Sequence, residues 1–153
     1  MLPIRLYTDP ILSIPCKWVE NFDDPSLEIL VNEMINTMQQ YNGVGLASTQ
    51  VGDNRSVCIL HVEDRTKIMV LVNPRVLRHT KEKSRQVEGC LSTPGISIPI
   101  KRYKGVEVEA QNLLGEKVQY RFTDYDCRIF LHEWDHLQGK TIAQSLQNYI
   151  SVL

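Results

Sequence analysis

The segment HEWDH, residues 132–136, constrains this chain more than any other segment, because its chemistry needs a helix. Residues four apart lie about 40° from each other around an α-helix, so His132 and His136 can reach one metal ion. Glu133 points to the adjacent side, where it can act on a water molecule bound to that ion. The segment therefore predicts a metal-binding helix in a hydrolase. The competing interpretation is two surface histidines with an incidental acid between them.

Composition and charge exclude several classes of protein. The 153 residues suit one domain, and we expect 1–153 to form a single catalytic domain. Seventeen Lys and Arg residues against 18 Asp and Glu residues, with no long basic run, favour neither a nucleic-acid nor a membrane-surface partner. No apolar stretch is long enough to span a bilayer, and MLPIRLYTDPIL lacks the layout of a signal peptide.

The cysteines indicate a reducing compartment. Four are present, without CxxC spacing, in a chain that shows no export signal: Cys16, Cys58, Cys90 and Cys127. Such cysteines are expected to be thiols, which favours the cytosol.

Apolar periodicity predicts one amphipathic helix near the N-terminus. Pro25, after Asp24, stands in the first turn of the predicted helix, where its missing N–H costs nothing. Apolar residues then recur at helical spacing until Asn42-Gly43 ends the helix: Leu27, Leu30, Val31, Met34, Ile35 and Met38. Residues 1–24, with three prolines, are expected to form an extended lead-in.

Strands are predicted between this helix and HEWDH. Ser56–His61 and Ile68–Asn73 are strand-like, and Pro74 is expected to stop the second. Residues 75–88 are expected to form a surface strand or loop. Alternating apolar residues on both sides of a Leu114-Gly115-Glu116 turn predict a hairpin: Val106, Val108, Ala110, Val118, Tyr120 and Phe122.

The last predicted helix carries HEWDH. Thr123 or Asp124 can cap it, and Gly139 can end it after Gln138. The tail from Thr141 onward is expected to add a short strand or turn. The order of elements predicts an α+β fold, with antiparallel sheets packed around a central HExxH helix and an N-terminal amphipathic helix.

A catalytic site needs a third protein ligand, because one position stays open. Residues 137–153 contain no His, Asp, Glu or Cys, so this ligand must lie upstream. Cys127 lies about 140° from His132 around the helix and faces another way. Cys90, in the irregular loop EGCLSTPG, can present a thiolate, although alone it would be interpreted as a small apolar filler. The remaining candidates are interpreted as core or surface residues: Cys16, Cys58, His61 and His79.

Three segments together resemble the peptide deformylase family. GVGLASTQ (43–50), EGCLS (88–92) and HEWDH (132–136) occur in the order, and at about the spacing, of the family's three motifs. Tyr7-Thr8-Asp9-Pro10-Ile11-Leu12 and the first helix are also similar, so the resemblance covers nearly the whole chain. Ser48 and Leu131 depart from the usual motif residues.

The resemblance implies an activity and a site. The activity is removal of the formyl group from N-formylmethionyl peptides of newly made proteins, with release of formate. By motif match, one divalent ion is held by Cys90, His132 and His136; the family implies Fe²⁺ natively, with Zn²⁺, Ni²⁺ or Co²⁺ accepted. Glu133 is the implied proton carrier. The side-chain amide of Gln50 and the backbone N–H of Leu91 are the implied oxyanion stabilisers.

The resemblance also implies how substrate binds. The peptide is expected to lie as an added strand along two segments, with contacts to Gly43, Val44, Gly45, Glu88 and Gly89. Tyr125 and Arg128 precede His132 by two turns and one turn, and they are expected to border the methionine pocket with Val44 and Gln86. Asp135 is expected to pair with Arg102, and Trp134 to pack into the protein.

The implied activity also predicts binding partners and a cellular location, and two other functions remain as alternatives. The expected partners are nascent N-formylmethionyl peptides and, transiently, the ribosome, with neither nucleic acid nor membrane bound. The expected location is a bacterial cytosol, or a host cytosol for a phage-encoded form. One alternative is another metal-dependent amidase or peptidase on the same scaffold. A second is a zinc-stabilised binding module, which would want a fourth protein ligand and no need for Glu133 or Gln50.

Overall fold

The computed structural model describes residues 1–146, and the α+β class is confirmed there. In chain order the elements are α1 (Pro25–Gln40), β1 (Gly45–Ala47), β2 (Val57–Val62), β3 (Lys67–His79), β4 (Lys83–Gly89), β5 (Ser97–Tyr103), β6 (Gly105–Gln111), β7 (Lys117–Thr123) and α2 (Asp124–Leu137). Short 3₁₀ helices span Pro10–Ser13 and Ser48–Val51. No helix of the described part is long and apolar enough to cross a membrane.

Helix α1 forms as its sequence predicts. The side chain of Asp24 accepts a hydrogen bond from the backbone N–H of Ser26 at 2.9 Å, and Pro25 occupies the first turn. Its apolar stripe packs against one face of the sheet formed by β1, β2 and β3, and makes up a core with Leu46, Val57 and Ile59.

The main sheet has five antiparallel strands in the order β1-β2-β3-β6-β7. The predicted hairpin corresponds to β6 and β7, which pair from Gly105 opposite Thr123 to Gln111 opposite Lys117. Helix α2 covers the opposite face of this sheet from α1, and its apolar residues share a core with β2, β3 and β6.

The prediction that Pro74 stops its strand is wrong. Strand β3 continues to His79, and its pairing with β6 is irregular between Val72 and Arg75. Asn73 adopts φ +50°, and its side chain binds both the N–H and the carbonyl of Val19. Proline is tolerated inside a strand at such a bulge, because the missing N–H falls where the ladder is already broken.

A separate two-stranded sheet carries the rest of the site. Strand β4 pairs with β5 from Lys83 opposite Tyr103 to Gly89 opposite Ser97. The sequence analysis predicts no strand over the residues of β5, which include Pro99. Its inward residues nevertheless alternate as a half-buried strand requires: Ile98, Ile100 and Arg102.

Helix α2 begins after Thr123 and ends near Gln138, as predicted. Gly139, at φ +78°, follows the helix with its Cα packed against the backbone of Ser13. The prediction of a strand or turn in the tail is wrong for residues 142–146, which are helical; Ile142 packs on β5. The rest of the tail lies outside the described residues.

Candidate functional site

Three predicted ligands from two separate parts of the fold meet at one point. Cys90 follows strand β4, whereas His132 and His136 lie one turn apart on α2. Their ligand atoms lie within 4.8 Å of one another, and Cys90 Sγ is 3.4 Å from His136 Nε2. In a tetrahedral site a sulfur and a nitrogen ligand would be about 3.6 Å apart. The thiol and two imidazoles therefore fit a single divalent ion, both in chemistry and in spacing.

His132 is oriented by a carboxylate. Glu88 Oε1 lies 2.8 Å from His132 Nδ1, which leaves Nε2 for the side of Cys90 and His136. Burial lowers the pKa of His132, but the interactions with Cys90 and Glu88 raise it to about 10. A bound cation would take the place of that proton. For His136, burial lowers the pKa and favours the neutral ring that ligation needs.

Glu88 is the centre of a buried charge network. Its carboxylate accepts hydrogen bonds from Arg102 at 2.7 and 2.9 Å and from Arg128 at 2.5 Å. Burial alone would raise the pKa of Glu88, but the hydrogen bonds from Arg102 and His132 lower it to about 2. Arg102 also binds Asp135 at 2.6 Å, as the sequence predicted. The carboxylate is thus ionised and held from several sides.

Gln50 is fixed with its amide NH₂ group toward the ligands. Its Oε1 accepts the backbone N–H of Ala47 at 3.0 Å, so the orientation of the amide is determined. Its Nε2 lies 3.1 Å from Ser92 Oγ and 3.5 Å from Cys90 Sγ. The 3₁₀ turn Ser48–Val51 produces this arrangement by following β1 directly. A fixed donor beside the ligands is the geometry that a developing oxyanion requires.

Glu133 is buried beside the ligands without a fixed partner. Only 4% of its surface is exposed, and within residues 1–146 its Oε2 has no hydrogen-bond partner. Burial raises its pKa to about 7. A Cβ atom at Gly45 would lie 2.7 Å from Glu133 Oε1, so the glycine is what gives the carboxylate its room.

One cavity of about 420 Å³ joins these groups, a size typical of small-ligand sites. Every predicted site residue except His136 and Gln86 lines it: Gly43, Val44, Gly45, Gln50, Glu88, Gly89, Cys90, Leu91, Tyr125, Arg128, His132 and Glu133. Gln86 does not line the cavity, whereas its neighbour Val87 does. The unpaired edges of β1 and β4 both border it, since β1 pairs only with β2 and β4 only with β5 among the described strands.

The other weighed candidates do not join the site. Cys127 is buried and donates to the carbonyl of Tyr103, and Cys58 is buried in the core. His79 stacks on Tyr103 at the end of β3. All four cysteines are free thiols, as predicted. Trp134 packs against the core around α2, also as predicted.

Sequence reasoning missed several residues that shape the site. Ser92 accepts from Gln50, and its place inside EGCLS could have drawn attention to it. The cavity rim also includes residues without a recognisable pattern: Tyr41, Asn42, Arg65, Thr93 and Ile96. Ser84 and Ile100, which bind Arg128, carried no signal, because only the pairing of β4 with β5 brings them to it.

Comparison with known proteins agrees with this geometry. A family model described as polypeptide deformylase matches residues 1–150. The peptide deformylase of Finegoldia magna is 38% identical over 145 residues, which is 95% of this chain and 89% of that protein. The crystal structure of peptide deformylase from Thermotoga maritima has a TM-score of 0.90 and 38% identity, covering 94% of this chain and 96% of that chain.

A further solved structure is similar over the same length. The Met-ala-ser bound crystal structure of a class I type b peptide deformylase from Acinetobacter baumannii has a TM-score of 0.90 and 31% identity. The similarity covers 94% of this chain and 98% of that chain. The fold and the site define a hydrolase with three side chains suited to a metal ion. The chain belongs to the polypeptide deformylase family of enzymes.

Proposed function

We propose that this protein is a metal-dependent hydrolase that removes the N-formyl group from N-formylmethionyl peptides of newly made proteins and releases formate. The main support for the proposal is that three segments far apart in the sequence line one cavity. The sulfur of Cys90 lies 3.5 Å from Nε2 of Gln50 and 3.4 Å from Nε2 of His136. A structural metal site would not need the buried, unpaired Glu133 beside it.

Cys90, His132 and His136 would hold one divalent ion, with Fe²⁺ as the proposed native ion. The bound ion supplies Lewis-acid chemistry, which makes water a nucleophile near neutral pH. Glu88 keeps the ring of His132 in place through Nδ1, as carboxylates do for ligating histidines in many metal sites. Zn²⁺, Ni²⁺ and Co²⁺ suit the same thiolate and imidazole donors.

Gln50 and Leu91 would stabilise the charge that develops on the formyl oxygen. The Gln50 amide cannot rotate without losing the bond between its Oε1 and Ala47, so its Nε2 stays beside Cys90 at the wall of the cavity. The backbone of Leu91 follows the ligand Cys90 directly along the same wall. Preorganised donors of this kind need no rearrangement as the carbonyl becomes tetrahedral.

Glu133 would carry the proton. It accepts a proton from the attacking water and donates it to the departing amine, which leaves formate and a free methionyl amine as products. Its burial in the space left by Gly45 supports this role, because the carboxylate borders the cavity and is shielded from bulk solvent.

The substrate peptide would lie between the edges of β1 and β4. Main-chain pairing along residues 43–45 and 88–89 binds extended peptides with little regard to sequence. Glycines at 43, 45 and 89 allow close approach. Tyr125 and Val44 would border the pocket for the methionine side chain. The similar deformylase structure from Acinetobacter baumannii is bound to Met-ala-ser, which supports a short peptide as the ligand of this cavity.

The biological setting follows from the substrate. We propose a single catalytic domain over 1–153 that acts in the cytoplasm on nascent formylated chains, with transient contact to the ribosome as a further partner. Neither nucleic acid nor membrane is proposed as a ligand, since charge is balanced along the chain.

Formyl-Met-Ala-Ser tests the proposal. Protein purified without oxygen and assayed for its metal should release formate and free Met-Ala-Ser, and acetyl-Met-Ala-Ser should remain intact as the matched control. Loss of activity on exposure to air, with retention after Zn²⁺ or Ni²⁺ exchange, would support Fe²⁺. Cleavage inside the peptide without formate release would instead support the alternative peptidase.

A further inference from the structure

We infer that Arg128 is a positioning residue that fixes the segment carrying Cys90 against the helix carrying His132 and His136, and thereby sets the affinity for the metal. The inference rests on the proposed metal site. It assigns to Arg128 a role other than the substrate contact that its place one turn before His132 suggested.

The contacts of Arg128 all lead from α2 to the two-stranded sheet. Its Nη1 lies within hydrogen-bond distance of Glu88 Oε2, and 2.9 Å from the carbonyl oxygen of Ile100. Its Nη2 donates to the carbonyl and the hydroxyl of Ser84, at 2.8 and 3.3 Å. One side chain of α2 is therefore bonded to both β4 and β5.

These bonds matter because the ligand set is split between the same elements. Cys90 stands two residues after Glu88 at the end of β4, and the histidines stand on α2. Sliding of β4 against α2 would change the distance between Cys90 Sγ and His136 Nε2, now 3.4 Å. Arg128 opposes that movement from the α2 side, and Arg102 opposes it from β5 through Asp135.

Arg128 also adds to the hold on Glu88. Arg128 and Arg102 both donate to Oε2, while Oε1 accepts from Arg102 and meets His132 Nδ1. Each of the two carboxylates, Glu88 and Asp135, has an arginine partner, so neither is left as an unpaired buried charge. Loss of Arg128 would leave Glu88 held by Arg102 alone, so the carboxylate beside His132 would be less firmly fixed against α2.

The same contacts argue against a role for Arg128 in recognising the side chain of the first substrate residue. Only 5% of its surface is exposed, and both terminal nitrogens of its guanidinium are already donating to protein acceptors. Arginine suits this position because its planar guanidinium spreads its donors over separate nitrogens in fixed directions, whereas the donors of an ammonium group all lie on one atom.

The test measures metal affinity in the absence of substrate. Arg128→Met keeps an unbranched stem and removes the guanidinium, and Arg128→Lys keeps the charge without the fork. We expect the Zn²⁺ dissociation constant, from chelator competition, to rise about 10–100-fold in Arg128→Met. Arg128→Lys should lie between that variant and the parent, and the absorption spectrum of the Co²⁺-loaded protein should shift in both. Arg121→Met, which removes an exposed arginine of β7, should match the parent.

Circular dichroism and thermal melting establish that each variant is folded. A folded Arg128→Met with parental Zn²⁺ affinity overturns the inference, as does a changed preference between formyl-Met and formyl-Ala peptides at constant affinity. If Arg128→Met does not fold, parental affinity in folded Arg128→Lys overturns it. Failure of the parent protein to release formate would remove the proposed function, but it would leave the affinity comparison in force.

Discussion

Gly45 and Glu133 lie so close that a Cβ atom at position 45 would be 2.7 Å from Oε1 of the carboxylate. No real Cβ tolerates such a contact, so Gly45→Ala must displace Glu133. We expect turnover of formyl-Met-Ala-Ser to fall by at least about tenfold, since small misplacements of a reacting group are costly. Zn²⁺ content should not change, because the three ligands are untouched. Parental turnover in Gly45→Ala would show that Glu133 does not need its present position.

Glu133→Gln tests the proton carrier directly. The amide has nearly the same shape but cannot accept the proton of water, so kcat should fall by about 10²–10⁴-fold. Metal analysis of the purified variant should give the parental content. Retained turnover would remove Glu133 from its assigned role, whereas loss of metal would indicate that it supports the ligand set instead.

Gln50→Glu distinguishes the role of Oε1 as an acceptor from the role of Nε2 as a donor. A carboxylate can still accept from the N–H of Ala47, but it has no N–H to offer the formyl oxygen. Removal of one oxyanion donor typically lowers kcat by about 10²–10³-fold, and we expect a loss in that range. Gln119→Ala, at an exposed position of β7, is the matched control and should retain parental kinetics.

The helices and two of the three candidate ligands could be predicted from the sequence because their signals are local. Pro25 marks the start of α1, and HEWDH carries two candidate ligands at one helical spacing. Helical spacing does not identify Cys90 as a candidate ligand. Its segment was recognised because it resembles a motif of the family. When two candidate ligands lie on one helix, a third can come from any irregular loop that reaches the same point. The segment EGCLSTPG was interpreted as such a loop.

The missed features depend on pairing between distant strands. Pro74 was expected to stop a strand and no strand was predicted around Pro99, yet β3 and β5 pass through these prolines, because bulges and sheet edges tolerate a missing N–H. The partners of Arg128 were also beyond prediction. Helical spacing places a residue on a face, but it does not specify which carboxylate or carbonyl a long side chain reaches.

Differential alkylation tests Cys90 as a ligand within the parent protein. Burial raises the pKa of Cys16 and of Cys127 to about 11, and it raises that of Cys58 well above the usual range. At about pH 8 these three cysteines are almost entirely unreactive thiols. Iodoacetamide should therefore label Cys90 in chelator-treated protein, and Zn²⁺ should protect it. Equal labelling with and without Zn²⁺, read by peptide mass spectrometry, would count against Cys90 as a ligand.

Gly139→Ala tests the packing that ends α2 against the N-terminal lead-in. A Cβ at Gly139 would lie 2.9 Å from the backbone of Ser13, whereas a Cβ at Gly95 would meet nothing within 4 Å. Both glycines have nearly the same positive φ, +78° and +77°, so the conformational cost of alanine is shared. Gly139→Ala should therefore lower the free energy of unfolding in urea by about 1–3 kcal/mol more than Gly95→Ala does, which is the usual cost of overpacking. Equal losses in the two variants would mean that the Ser13 segment moves aside freely, and that the lead-in does not restrain the C-terminal end of the helix that carries both histidines.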